Sequence, residues 1–400
     1  MAITIQSNPG KFTPAFNSII FRISSDNYAQ PDFKFVADVY DGSGNLVATQ
    51  KYQPAVVGSS PIDIDVFRTV QELVAADYCK FNSVVSPNLV INSGGAVASY
   101  SVQFGEQYNG VVHANLTSYS GYIFNGSIPN IRFAFFQASD YLNKKFLTTL
   151  SRQVVRKRDS AMLSILQSDT TAITGFDVEI FDLAGNSIYT GNIENPLTSL
   201  SATNNRLLHV HCGFDYLYAQ MGFNSTVYAQ AAYYVISTSP GASMRFDLYS
   251  LCERFPGVRL YFLNDLGGFD AFNFMLPDRW SQSNEKKVYQ RQPLDKRSSY
   301  DPTNKRFEAT VRSYYTRYVN KVKLTSDYLT DQEAQLLLQL VPSPLVYMEI
   351  DATEYGGTGL SLLPVDVKMT DYEVKKTRLD KLFTVEINIE ITQPNFRQAV

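Results

Sequence analysis

Side chains able to bind a metal, attack a carbonyl or carry a proton cluster at one place in this sequence. His209 and His211 are two residues apart and Cys212 follows them. On an extended strand residues two apart share a face, so the imidazoles would be neighbours and the thiol would point the other way. A structural zinc site needs four such ligands, a catalytic one three and an open position. The chain has one further histidine, His113, and its other thiols, Cys79 and Cys252, form no Cys-x-x-Cys pair. The cluster therefore predicts the faces of an ordinary strand, with no metal, no other cofactor and three free thiols. No Gly-x-Ser-x-Gly elbow, P-loop, dinucleotide fingerprint, His-Glu-x-x-His pair or EF-hand loop occurs. A glycosidase-type carboxylate pair leaves no local motif, and the expectation is a protein without catalytic residues.

A second cluster is basic. Between Lys286 and Lys323 stand eleven Lys and Arg against three acidic residues, with Tyr289, Tyr300, Tyr314, Tyr315 and Tyr318 interleaved. Such a stretch could track a phosphate backbone while bases stack on the rings. However, Arg312, Tyr314 and Thr316 alternate with Val311, Ser313 and Tyr315, the period of a strand with one face to water or to a subunit. The net charge of −3 gives no global attraction to nucleic acid or an anionic membrane. Nucleic acid is thus the weaker reading. Arg291, Arg306, Arg312, Tyr314, Arg317 and Tyr318 become candidate subunit-interface residues, because Arg and Tyr are enriched in such contacts.

These residues need elements to position them. The 400 residues are 44% hydrophobic and only 18% charged, with 26 Phe and 26 Tyr, a balance that favours pleated sheets over helices. Charge density divides the chain: 39 charged residues lie in 254–400, against 19 in 1–145 and 15 in 146–253. We expect domains at 1–145, 146–256 and 257–400. The first two read as distant copies. Phe35–Tyr40 alternates and enters Asp41-Gly42-Ser43-Gly44-Asn45; Phe176–Phe181 alternates and enters Asp182-Leu183-Ala184-Gly185-Asn186. Later, Tyr100–Phe104 leads to Glu106-Gln107-Tyr108-Asn109-Gly110 and Met244–Leu248 leads to Glu253-Arg254-Phe255-Pro256-Gly257. The two landmarks recur at offsets of 141 and 147 residues.

Short alternating strands between Gly, Asn and Pro turns predict two tandem β-sandwiches, immunoglobulin- or fibronectin-like. The best helical candidates within them are 63–75 and 147–158. The third domain reads as β-rich α+β. Val258–Leu263 and Phe269–Phe274 flank the turn Asn264-Asp265-Leu266-Gly267-Gly268, and Phe383–Ile391 alternates as a final strand. Thr330-Asp331-Gln332-Glu333 has the form of a capping box. It predicts a helix near 331–341 with Ala334, Leu337, Leu338 and Val341 on one face and Pro342 as its stop. The start shows neither the cationic segment nor the apolar run of a secretory signal, and no apolar stretch approaches the roughly 18 residues of a membrane span. A soluble protein made in a reducing cytosol is expected.

The run Leu260–Phe274 resembles the Phe-Leu-Asn-x-x-Gly-Gly-x-x-x-Phe-x-Phe hallmark of virion structural proteins of tailed phages infecting Bacteroidetes, crAss-like phages included, with Asn264, Gly267, Gly268, Phe272 and Phe274 as its fixed positions. The opening is similar too, in Pro14–Phe21, Ser24–Asn27 and Phe33–Phe35, as are Ser326–Thr330, Ser343–Tyr347 and Asp380–Phe383 near the end. The resemblance implies a tail, baseplate or collar component, synthesised in the host bacterial cytoplasm and located in the virion. Its partners would be itself, as a homo-oligomeric ring, and other virion tail proteins. A host-surface glycan-binding module is the alternative and an enzyme the third reading.

Overall fold

The computed structural model describes all residues except 1–2, 55–59, 76–87, 240, 250–256, 277, 291–299, 302, 304–305, 308–310, 369–383, 394 and 397–400; the side chains of 114–116, 301 and 306–307 are likewise not described. Two compact units are present, the first formed by Met1–Leu251 with Leu263–Asp270, the second by Cys252–Phe262 with Ala271–Val400. Both sandwiches therefore belong to one unit, and the chain returns to that unit for eight residues after leaving it.

The first sandwich contains β1 (Ile3–Ser7), β2 (Phe12–Pro14), β3 (Ile20–Ser25), β4 (Lys34–Asp41), β5 (Leu46–Tyr52) and β6 (Ile62–Asp65). A connection through the single turn α1 (Phe67–Val70) and β7 (Val90–Asn92) leads to β8 (Val97–Tyr108) and β9 (Val111–Phe124). A three-stranded sheet β1-β3-β6 faces a five-stranded sheet β2-β9-β8-β4-β5, in which β2 lies parallel to β9. Alternate residues of each sheet, such as Phe35, Ala37 and Val39 of β4 and Phe21 and Ile23 of β3, turn inward to one apolar core.

After α2 (Asn130–Phe133) the second sandwich runs through β10 (Arg152–Val155), β11 (Met162–Leu166), β12 (Gly175–Phe181), β13 (Ser187–Glu194) and β14 (Leu207–His211). Two short helices, α3 (Phe214–Met221) and α4 (Ser225–Gln230), precede β15 (Tyr233–Ser237) and β16 (Ser243–Leu248). Its larger sheet is β10-β16-β15-β12-β13, with β10 parallel to β16. Strand for strand this is the order and direction of the first sandwich's large sheet. Both are immunoglobulin-type sandwiches, and their large sheets share one connectivity.

The small sheet of the second sandwich departs from the copy. Its order is β11-β14-β7, so the outer strand is Val90–Asn92, lent by the first sandwich's own connection. His209 pairs with Ile91, and Leu89 accepts a further backbone bond from His211. A division at 145/146 would cut through this shared sheet.

The second unit is built on one sheet in the order β18-β17-β23-β24-β25-β22-β19, with a short β26 (Asn395–Phe396) also paired to β22. Its strands are β17 (Val258–Leu263), β18 (Phe269–Phe274), β19 (Arg279–Gln290), β22 (Val311–Thr325), β23 (Val346–Asp351), β24 (Leu360–Val367) and β25 (Glu386–Ile391). A two-stranded pair, β20 (Tyr300–Asp301) and β21 (Arg306–Phe307), lies between β19 and β22. The helix α5 (Asp331–Leu340) carries the capping box, Thr330 being its N-cap.

Several local expectations are corrected. Residues 63–75 are the end of β6, a single α turn and a 3-10 turn, and 147–158 holds β10 instead of a helix. The β-branched Val154 and Val155 fit a strand, and Arg152–Val155 has a partner in β16 that only the folded chain supplies. On α5 the buried residues are Ala334, Leu336, Leu337 and Leu340, while Leu338 is exposed. Apolar residues occupy both sides of that helix, and packing, not the pattern, selects the inner one. Met244–Leu248 is β16, the counterpart of β9, whereas Tyr100–Phe104 belongs to β8, so the second repeat landmark joined non-equivalent strands. Residues 253–256 of that landmark lie outside the described residues.

Candidate interaction surfaces

The five hallmark residues divide between two settings. Asn264–Gly268 is a tight turn in which Asn264 N–H donates to the Gly268 carbonyl at 2.8 Å and Gly267 N–H to the Asn264 carbonyl at 3.1 Å. The Asn264 carboxamide oxygen accepts from the backbone of Leu266 and Gly268, both at 3.0 Å. Asp41–Asn45 and Asp182–Asn186 repeat this pattern with Asp in the first place and Gly44 or Gly185 at φ +85°, beside +83° at Gly267. One turn design thus occurs three times among the described residues. A positive φ at the fourth place favours glycine in each.

What distinguishes the third turn is its surroundings. Asn264 and Leu266 are buried, and Leu266 packs in a cluster with Ala96, Val97, Phe124, Ile128, Leu147 and Leu207, drawn from both sandwiches. The Asn264 amide donates to the Leu147 carbonyl and to the Asp270 carboxylate, each at 2.7 Å. Ser127 N–H donates to the Asp265 carbonyl at 2.9 Å, and Arg132 pairs with the Asp265 carboxylate. A Cβ on Gly267 would stand 2.3 Å from the Asn125 carbonyl oxygen, and one on Gly268 2.6 Å from that of Leu147. The glycine pair is required by this close approach. Phe272 and Phe274 lie beyond the turn on β18, in edge-on contact with ring centroids 5.0 Å apart.

Asp270 sits at the base of the turn. Burial pushes its carboxyl up to about 6, against hydrogen bonds from Thr148 and Asn264 that favour the ion. Burial likewise raises Asp265, opposed by Arg132.

The basic stretch forms a ribbon of β19 and β22, antiparallel from Arg279 opposite Lys323 to Gln290 opposite Val311. All twelve residues of β19 are exposed, and this strand is an edge of its sheet. The alternation expected for Arg312, Tyr314 and Thr316 is interrupted by a bulge, since Lys287 faces Tyr315 while Val288 faces Ser313 and Tyr314 has no cross-strand partner. A bulge puts two residues opposite one and exchanges the faces. Arg312 consequently shares a face with Tyr315 and Arg317, opposite Tyr289, Lys287 and Glu285, whereas Tyr318 lies on the other face opposite Asn284. On the first face Lys287 stands 5.1 Å over the Tyr315 ring, which contacts Phe396 at 5.9 Å. Lys321 and Lys323 are already paired with Glu390 and Glu386 of β25, both at 2.6 Å, so part of the basic charge is neutralised inside the sheet. Arg306 lies on β21, and Arg291 falls outside the described residues.

The histidine pair occupies the middle strand of the small sheet. His209 and His211 are both buried, with His209 Nδ1 2.9 Å from the Ser164 hydroxyl. Burial, reinforced by His209, lowers His211 to about 4. Cys212 is buried, and Cys79 and Cys252 lie outside the described residues. Among the described residues no three His, Cys, Asp or Glu side chains converge as a metal site.

Two buried polar groups had no legible signal in the sequence. Glu106 follows a bulge in β8 and its carboxylate accepts from the Ser25 hydroxyl and from the Asn27 amide at 2.9 Å. Arg259 is buried and donates to the Tyr261 hydroxyl and the Asn273 amide oxygen, both at 3.0 Å. The Tyr261 hydroxyl in turn donates to Glu349.

No protein-family model and no curated protein matches the sequence. Among solved structures, the crystal structure of chicken CNTN1 FN1–FN3 domains is similar over 62% of this chain and 67% of that one, with 7% identity and a TM-score of 0.18. The sandwich assignment itself follows from strand order and direction. Among the described residues no helix is long and apolar enough to cross a membrane.

Proposed function

We propose that the chain is a non-enzymatic structural component of a phage virion, in its tail, baseplate or collar, and that it assembles as a homomeric ring joining other tail proteins. The observation that supports this reading is the β19–β22 ribbon. Among the described residues no strand pairs with the outer side of β19, which is twelve residues long, and soluble proteins normally cover or shorten such an edge. Beyond Arg317 only β19 and β22 remain paired among the described residues, and a two-stranded end of this kind is marginal in water and gains stability from a partner. Trp280, Val288, Tyr289 and Tyr314 are exposed along it and the half-buried Arg312 and Arg317 lie between them, a composition suited to a protein contact. Identical subunits using one heterologous contact close into a ring when the rotation permits. Multiple β-rich modules and the hallmark residues fit a building block of this kind.

Electron microscopy and sedimentation of the purified full chain test the reading. Rings are expected, and Arg312→Glu with Arg317→Glu should disperse them while circular dichroism stays unchanged. A chain monomeric at every concentration, both alone and in virions, overturns it; normal assembly of the double variant removes the ribbon from the contact.

A further inference from the structure

Among the described residues the first unit carries an exposed apolar knob and, elsewhere on its surface, a groove of mixed apolar and polar lining. The knob is Leu183, 93% exposed at the tip of the Asp182–Asn186 turn. Its turn is rigid: the Asp182 carboxylate accepts from Asn186 N–H at 2.8 Å and from the Asn186 amide at 3.0 Å. The corresponding turn of the first sandwich has Gly42 and Ser43 at its tip and presents no such side chain. The groove, of about 610 Å³, lies between the β2 segment and the stretch after α2; its apolar lining includes Phe12, Ile20, Phe133 and Phe136, with Lys11 and Gln137 among the polar residues beside them. Beside it Ile131 and Phe135 are each 83% exposed. Isolated exposed apolar residues are ordinary, but a groove rimmed by several marks a contact.

We propose that the Leu183 turn of one copy seats in the Phe133–Phe136 groove of a second copy of this chain, a head-to-tail contact. Charge complementarity selects that occupant. The hairpin 175–194 carries Asp177, Glu179, Asp182 and Glu194 and no basic residue. The hydrogen bonds from Asn186 hold Asp182 below the usual carboxylate range, so it stays ionised. Around the groove stand Lys11, Lys144 and Lys145, all exposed, which contact the Tyr122 ring, the Ser139 carbonyl and the Tyr141 ring. Knob and groove are different surfaces of one molecule, so the contact is heterologous and repeats from copy to copy. The proposal deepens the ring reading and rests on it only in requiring self-association.

Full-length protein carrying a photoreactive benzoylphenylalanine at position 183 tests it. Irradiation followed by digestion and mass spectrometry should join the 183 peptide to peptides from 8–20 or 129–145 of another copy. In sedimentation velocity, Leu183→Asp and Phe135→Asp, both at exposed sites that leave folding intact, should each weaken self-association about tenfold or more. Added salt should weaken the parent contact as well. Crosslinks to other peptides, or Leu183→Asp assembling like the parent, overturn the contact while leaving the ring reading standing. A protein that never self-associates overturns both.

Discussion

Asp270 and His211 are buried titratable groups with opposite consequences for stability. The Asp270 carboxyl is raised from 3.8 to about 6, chiefly by burial. Between those values the folded chain keeps a proton that the unfolded chain releases, so its contribution falls as pH rises and is lost above about 6. His211 is lowered from 6.5 to about 4, again by burial first. There the unfolded chain takes up a proton that the folded chain refuses, and stability is lost as pH falls from 6.5 towards 4. The two effects oppose each other where their windows overlap. Asp270→Asn should therefore steepen the loss of thermal stability on acidification from pH 6.5, and His211→Gln should flatten it, as melting curves across that range would record. An unchanged slope in Asp270→Asn would mean that the carboxyl titrates normally. Gly44 and Gly267 offer a second comparison at this scale. Both have the left-handed φ of the same turn, but a Cβ at Gly44 meets nothing within 4 Å, while one at Gly267 meets a carbonyl oxygen at 2.3 Å. Gly44→Ala is expected to cost about 1–2 kcal/mol and Gly267→Ala about 3 kcal/mol or more, because the neighbouring backbone must move. Denaturant midpoints of the two variants should separate accordingly.

Elements whose signals are local were legible in advance. The capping box is one: Thr330 Oγ1 accepts from Glu333 N–H at 3.4 Å, and Glu333 returns a carboxylate to Thr330 N–H at 2.8 Å. Thr330→Ala should cost about 1 kcal/mol. The amides of 331–340 should then exchange about fivefold faster in hydrogen-exchange mass spectrometry, with the sandwiches unaffected. The Asp-x-x-Gly-Asn hairpins were equally readable, since their hydrogen bonds close within five residues. The Asn264 turn uses the same design, but Asn in place of Asp and Gly in place of Asn concealed the kinship. Elements defined by distant partners were not readable. Val90–Asn92 becomes a strand only because β14, more than a hundred residues later, has a free edge. The bulge at Tyr314 redistributes the basic and aromatic residues between two faces, and alternation alone gives no sign of it. The strand character of the basic stretch was legible and the facing of its side chains was not.

At the scale of the whole molecule, the composition shift after residue 253 did separate two kinds of structure, yet it missed the return of Leu263–Asp270 to the first unit. Burial of Leu266 links the Asn264–Gly268 turn to the joining of the two sandwiches. This has a consequence for the order of events during synthesis. The first unit lacks its plug until residue 270 has emerged, and the strand at 90–92 has no partner until β14 follows. At roughly 5–20 residues per second, some 120 residues of further translation keep that strand waiting for about 6–24 seconds. Over that interval the nascent chain exposes an unpaired edge, and the apolar site completed by Leu207 then stays unfilled until Leu266 follows; a chaperone could hold either. A ribosome stalled after residue 256 should display a chain more open to protease than one stalled well past residue 270, because the closing piece of the first unit is encoded inside the second.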